Sequence, residues 1–82
     1  MIDRDGFRTW IAENTNYDRE KSVNDVVNRM SRADRILEWH DDDADMYMYR
    51  LEKEELFSGI TATVKSQLRH AVRMYKEYIE SI

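Results

Sequence analysis

The 82-residue sequence contains no cysteine, no proline and only two glycines. Without cysteine the chain has neither disulfides nor a thiolate metal site, which fits a reducing cytoplasmic compartment. Without proline, no position in it forbids a long continuous helix. No hydrophobic run approaches the roughly 18 residues of a membrane span, and the N-terminus lacks the layout of a signal peptide. These absences predict a soluble, cytoplasmic, mostly helical protein with no membrane partner.

Recognisable motifs of catalysis are absent as well. His40 and His70 have no nucleophile and acid at a spacing that predicts a catalytic arrangement, and there is no glycine-rich phosphate-binding loop. We therefore expect no enzymatic activity, no cofactor and no small-molecule substrate.

One acidic stretch partly matches a calcium-binding loop. Ligand positions of an EF-hand-like loop are occupied by Asp41, Asp43, Asp45 and Glu52. The position that needs glycine for the sharp turn of such a loop holds Met46 instead. The sequence therefore predicts no metal site, because aspartates in a short run are also typical of helix caps.

The clearest structural signal lies between Ser22 and Trp39. Its apolar residues recur at spacings of three and four, which places them on one stripe of an α-helix with Ser22 as N-cap. The stripe consists of Val23, Val26, Val27, Met30, Ala33, Ile36 and Leu37. The other face carries Asn24, Asn28, Ser31, Arg32 and Arg35. This stretch is predicted to be a central helix with a core side and a polar, partly basic side.

Two shorter helices are predicted on either side of the central one in the sequence. The first begins after the N-cap Asp3 and ends near Asn14. The other runs from 45 to 57 and is capped by Asp43 or Asp45. Its apolar residues are Met48, Leu51 and either Leu56 or Phe57. Gly59 is expected to close it in the left-handed conformation.

The last helix is predicted to start at Thr61 or Thr63 and to run almost to the end of the chain. At 1.5 Å per residue it is roughly 30 Å long. Its buried stripe comprises Val64, Leu68, Ala71, Val72, Tyr75, Tyr78, Ile79 and Ile82. We expect this helix to extend beyond the globule and to expose Ile79 and Ile82 to a partner or to a second copy of the chain, as in a homodimer.

These patterns predict an all-α fold, a compact four-helix bundle that forms a single domain over residues 1–82. The expected core contains Trp10, Val26, Val27, Met30, Leu37, Leu68, Val72 and Tyr75. Such a small domain buries only about 60% of the surface that its unfolded chain exposes, so its core is thin.

Charge is unevenly distributed along the chain. The net charge is −4, but residues 41–55 alone carry seven acids and two bases, so the remainder has a charge of about +1. The last helix carries a row of bases, Lys65, Arg69, Arg73 and Lys76. Like charges four residues apart on a helix repel each other, which favours an anionic partner for this row. A simply solvated surface is the other interpretation.

The order of these features resembles a known module. The central stretch has the form S-x-x-D-V-V-x-R-x-x-R-A-x-x-I-L, and the last helix opens with T-x-T-V and continues as K-x-x-L-R-x-A-V-x-x-Y. Together with a short aromatic first helix and an irregular third helix, they resemble the N-terminal core-binding, SAM-like domain of tyrosine recombinases and phage integrases.

The resemblance implies a non-catalytic module that binds double-stranded DNA through its second and last helices. The matching positions are Asn28, Arg32, Arg35, Lys65, Arg69 and Arg73. Recombinase chemistry is implied to belong to a separate catalytic domain. The alternative is a small phage or mobile-element protein that acts as an adaptor or inhibitor by binding another protein. That partner would contact the end of the last helix or an acidic flank that includes Asp42, Asp43, Asp45 and Glu54.

Overall fold

Five α-helices form the described part of the chain. The computed structural model describes residues 1–16, 20–40 and 43–82. Its helices are α1 (Arg4–Asn14), α2 (Glu20–Ile36), α3 (Ala44–Glu52), α4 (Glu55–Ser58) and α5 (Ala62–Ser81). The prediction of an all-α fold is confirmed, since these residues are mostly helical and contain no strand. The prediction of four helices is not confirmed, because the third predicted helix is two helices.

Three of the predicted caps are confirmed. The Asp3 carboxylate accepts a hydrogen bond from Gly6 N–H at 3.1 Å, which closes the first turn of α1. Asp43 caps α3 by accepting from Asp45 N–H at 2.8 Å. Thr61 caps α5 through its hydroxyl oxygen. Each cap satisfies a backbone donor that has no partner inside the helix.

Both predicted ends of the central helix were wrong. Helix α2 already begins at Glu20, so Ser22 lies inside its first turn and is not the N-cap. Glutamate and lysine are strong helix formers, and Glu20 and Lys21 extend the helix backwards. At the other end α2 stops at Ile36. Trp39 N–H donates to the Asp34 carboxylate at 2.8 Å, which turns the chain so that the Trp39 ring enters the core.

The predicted helix over 45–57 is interrupted between α3 and α4. Leu51 and Phe57 are both buried, although on one continuous helix their side chains would point about 120° apart. Glu54 takes an extended conformation, with φ −72° and ψ 135°, and this break turns Phe57 back to the core. The expected left-handed Gly59 was also wrong, because its φ of −80° and ψ of −4° are right-handed.

The core lies around α2 and α5, which form the central pair; α1 packs on both, and α3 packs on α5. The largest fully buried side chains are Tyr47, Tyr75, Phe7, Phe57, Ile11, Met30, Leu51, Leu68, Val26, Val27 and Val72. Most of the predicted core is therefore confirmed. Trp10 and Leu37 are exceptions, because both are only half-buried at the edge of the core.

Aromatic rings connect the helices at the centre of the molecule. The Trp39 ring meets Tyr47 and Tyr75 edge to face, with centroids 4.8 and 5.4 Å apart. Phe7 meets Tyr75 in the same way at 5.0 Å. The Tyr47 hydroxyl donates to the Leu37 carbonyl oxygen at 2.6 Å, and burial, assisted by the negative charge of Asp34, raises the Tyr47 pKa. Edge-to-face pairs add stabilisation beyond the area that they bury.

Asp3 joins the start of α1 to the end of α5. The Tyr78 hydroxyl donates to the Asp3 carboxylate at 2.6 Å, and Asp3 N–H donates to the Tyr75 hydroxyl oxygen at 2.9 Å. The Tyr78 hydrogen bond, followed by that from Gly6 N–H, lowers the pKa of Asp3. The same Asp3–Tyr78 hydrogen bond is the main reason that the pKa of Tyr78 rises to about 12.

We expect the Gly6→Ala variant to be less stable than the wild type, although alanine is normally the better helix former by about 1 kcal/mol. A Cβ atom at Gly6 would overlap the Tyr78 hydroxyl oxygen and the Asp3 carboxylate. Overpacking of this kind costs about 1–3 kcal/mol. Urea unfolding of both proteins measures the difference. The control is Ala12→Gly on the exposed side of α1, which should cost about 1 kcal/mol by propensity alone. An unchanged or raised midpoint for Gly6→Ala would contradict the overlap.

We expect the alkaline loss of stability to depend on Asp3. The folded-state pKa of Tyr78 lies above its ordinary value of 10.0. The contribution of Tyr78 to the free energy of unfolding is therefore complete below pH 10 and is lost as the pH rises toward about 12. In Asp3→Asn the main cause of this shift is removed, so Tyr78 should ionise at lower pH. Tyrosinate absorbance of the two folded proteins, titrated in parallel, measures the change. Superimposable titration curves would count against the Asp3–Tyr78 hydrogen bond.

Candidate nucleic-acid interface

Several polar side chains of α2 bind residues of α1. Arg8 donates from Nε to the Asn24 amide oxygen at 2.8 Å. Arg4 donates to the Asn28 amide oxygen at 3.0 Å and to the Ser31 hydroxyl oxygen. Residue numbers rise along α1 as they fall along α2, so the two helices run antiparallel. These polar side chains of α2 therefore serve largely as partners of α1, and Ser31 is buried.

The polar face of α2 also forms one wall of a groove between α2 and α5. Asp25, Asn28, Arg29, Arg32, Arg35, Val64, Gln67 and Leu68 line this groove. Arg29, Arg32 and Arg35 follow each other at spacings of three, so they lie near one another on the helix surface. Arg32 and Arg35 are exposed, and Arg29 is half-buried. None of these three guanidinium groups has an ion pair or hydrogen bond with a described residue.

The basic row of α5 lies on the opposite flank of that helix, toward α3 and α4. Arg69 pairs with Glu52 through two nitrogens, at 2.6 and 2.7 Å. Lys65 and Arg69 both lie over the Phe57 ring, 5.6 and 5.8 Å from its centroid. Arg73 is exposed and has no such partner among the described residues. The six candidate residues therefore do not share one groove: Asn28, Arg32 and Arg35 line the α2–α5 groove, and the other three lie on this flank.

A second groove runs between α3 and α5, and its charges are mixed. It is lined by Ala44, Asp45, Met48, Tyr49, Glu52, Arg69, Arg73 and Lys76. Glu52 neutralises Arg69, and Lys76 lies 3.8 Å from Glu80. The lining of this groove holds two acids and three bases, whereas the lining of the α2–α5 groove holds one acid and three arginines. None of those three arginines has a carboxylate of a described residue at ion-pair distance.

The candidate residues of the acidic flank have different surroundings. Asp42 lies outside the described residues. Asp43 is occupied as the cap of α3, whereas Asp45 is exposed at the α3–α5 groove. Glu54 is half-buried at the start of α4 and makes no side-chain capping bond. The exposed apolar side chains Met46 and Tyr49 are also on α3.

Residues of the EF-hand-like pattern do not converge as far as the structure describes them. Asp41 is outside the described residues, and Glu52 is paired with Arg69. Within residues 1–16, 20–40 and 43–82 no cluster of three His, Cys, Asp or Glu side chains could hold a metal ion.

At the end of α5, Ile82 is exposed as expected, but Ile79 is half-buried because it packs against the core.

Two residues of interest were missed by the sequence reasoning. Arg29 belongs to the central motif but not to the predicted DNA-binding residues. Its spacing of three from Arg32 places it on the same side of the helix and was the signal that could have identified it. Leu56 and Phe57 are alternatives for the last core residue of the predicted 45–57 helix, and in the structure Phe57 is buried and Leu56 is exposed. No periodic signal in the sequence distinguishes Leu56 from Phe57 as the buried residue.

The fold and the α2–α5 groove define an all-α domain with an arginine-lined surface. Comparison of the chain with models of protein families, with curated proteins and with solved structures finds no match. Among the described helices, none has the length and apolar character needed to cross a membrane.

Proposed function

We propose that this chain is a non-catalytic module that binds double-stranded DNA through the α2–α5 groove. Within this proposal the fold is a SAM-like bundle of the core-binding type, in which the third helix is interrupted. The observation that carries the proposal is the row Arg29, Arg32 and Arg35, three cations without a carboxylate partner among the described residues. Unpaired arginines on one face supply the charge that phosphates require.

The chemistry of the groove fits a nucleic acid in two ways. Guanidinium groups bind phosphate oxygens through paired hydrogen bonds, which fixes the position of a duplex. Asn28 and Gln67 add carboxamides, the groups that read adenine edges. The Asn28 oxygen already accepts from Arg4, so Gln67 is the better candidate for a base contact.

The net charge of −4 does not decide against this partner, because local potential governs where a polyanion docks. Five of the acids between 43 and 55 belong to α3, α4 and their flanking residues, whereas the arginine row belongs to α2. Asp25 is the one acid that lines the α2–α5 groove among the described residues. Asp25→Asn is therefore expected to strengthen binding.

Fluorescence anisotropy with a labelled duplex tests the proposal. Three phosphate contacts predict a slope of log affinity against log salt of roughly −2.7, and the dissociation constant at physiological salt should lie in the range of about 1–100 μM that is typical of non-specific binding. No binding at about 100 μM protein and low salt would contradict the proposal. Calorimetric titration with the same unlabelled duplex excludes an effect of the dye.

A protein partner is the second candidate, favoured by the exposed Met46 and Tyr49 beside Asp45 on α3. Aromatic and methionine side chains are enriched in protein interfaces. The partner would contact the α3 side of the molecule or, as in a homodimer, the exposed Ile82. Sedimentation of the wild type and of an Ile82→Ser variant distinguishes the homodimer from the monomer.

A further inference from the structure

Leu56 is an apolar side chain that α4 holds out in solvent. It is 73% exposed, whereas the next residue, Phe57, is 1% exposed. Apart from the terminal residues Met1 and Ile82, it is the most exposed large apolar side chain that the structure describes. Phe57 anchors α4 in the core beneath Lys65 and Arg69. Leu56 therefore projects from a fixed helical turn.

The surroundings of Leu56 are cationic. Leu56 and Ile36 form a notch together with Arg32 and Arg35, and both arginines also line the α2–α5 groove. The apolar tip thus lies at the edge of the same arginine surface that we propose for DNA. A protruding leucine is thus flanked by two guanidinium groups that have no ion pair with a described residue. This arrangement combines an apolar wedge with phosphate-binding groups.

This combination matches one mode of DNA recognition. Proteins that bind the minor groove often insert an apolar side chain between two base pairs while nearby cations hold the backbone, and the duplex bends by roughly 20–90°. The cost of unstacking is lowest at flexible pyrimidine–purine steps such as TA. Two arginines one helical turn apart have the reach to contact phosphates on either side of a groove about 6 Å wide.

We propose that Leu56 inserts into the minor groove at a flexible base step while Arg32 and Arg35 bind the flanking phosphates, so that the bound DNA is kinked. This inference rests on the proposed DNA binding and specifies its form. It makes Leu56 the residue that distorts the duplex, and the arginines the residues that hold it. The proposal also predicts that the protein prefers DNA with TA steps over stiff A-tracts. This preference would come from Leu56, although its side chain forms no hydrogen bond with a base.

The test uses the full chain and a duplex that carries 2-aminopurine at a central TA step, with dyes at both ends. Wild-type protein should raise the 2-aminopurine fluorescence, because the base becomes unstacked, and should bring the two ends closer. Leu56→Ala should lose both signals, while its affinity falls by no more than about tenfold. Leu56→Met should retain both signals, because methionine is also a known wedge.

Met46→Ala is the matched control, since Met46 is an exposed apolar residue that does not line the notch. It should leave both signals unchanged. If the wild type binds without unstacking or bending the duplex, or if Leu56→Ala gives wild-type signals, the wedge is wrong and DNA binding stands. If the wild type binds no duplex, the proposed function and the wedge both fail. Circular dichroism should show an unchanged fold for Leu56→Ala, because the side chain is exposed.

Discussion

Phe7→Ala should bring the domain close to global unfolding at room temperature. Phe7 is fully buried and its ring packs against Tyr75 and Tyr78, with centroids 5.0 and 5.8 Å away. Truncation of a buried phenylalanine costs about 3–5 kcal/mol, and a small domain has only about 5–15 kcal/mol in total. No compensating disulfide exists, because the chain has no cysteine. Chemical denaturation followed by circular dichroism measures the loss.

Trp10→Ala provides the control on the same helix. Trp10 is larger than Phe7 but only half-buried at the edge of the core. It therefore leaves a smaller cavity, and its removal should cost clearly less than that of Phe7. Equal losses for the two variants would mean that α1 does not bury Phe7 in the way the structure shows.

The double variant Arg32→Glu/Arg35→Glu should lower duplex affinity by about 100-fold or more, because each charge-assisted hydrogen bond is worth about 1.5–3 kcal/mol. The salt slope should also become shallower by about 1.8, since two phosphate contacts are lost. Both side chains are exposed, so thermal stability should change little. Anisotropy titrations at several salt concentrations give both quantities.

Arg73→Glu/Lys76→Glu is the matched control, because it changes the net charge by the same amount at the α3–α5 groove. If the α2–α5 groove binds DNA, the duplex affinity of this variant should fall by less than about tenfold. That fall comes from general charge repulsion, which salt screens. An equal loss in the two double variants would place the contact elsewhere on the surface. A greater loss in the control would favour the basic row of α5, as the resemblance implies.

The sequence predicts where the helices lie better than it predicts which of their side chains are buried against other helices. Hydrophobic spacing places α2 and α5, and local side chains such as Asp3 and Thr61 determine where helices begin. The break before α4 was not predictable in the same way, because it depends on which of Leu56 and Phe57 finds room in the core. Local propensity does not contain that information.

The candidate site depends even more on packing. Charge and periodicity identify the arginines of α2 and the basic row of α5, but the rotation of α5 decides which row borders the α2–α5 groove. In the structure Gln67 borders that groove, and Arg69 turns to Glu52. Likewise, the spacing of Asn28 and Ser31 does not predict that Arg4 binds them. These contacts depend on how α1 packs against α2.

The hydrogen bonds of Asp3 have a consequence for how fast the chain folds. Contacts inside each half of the molecule join residues that are close in the sequence. Arg8 and Asn24 are separated by 16 positions, and Arg69 and Glu52 by 17. Asp3, by contrast, reaches Tyr78 across 75 positions, nearly the whole chain. Long-range contacts form only after the entropy of closing the loop has been overcome. The joining of α1 to α5 is therefore expected late on the folding pathway, so weakening it should mainly accelerate unfolding and leave the folding rate nearly unchanged.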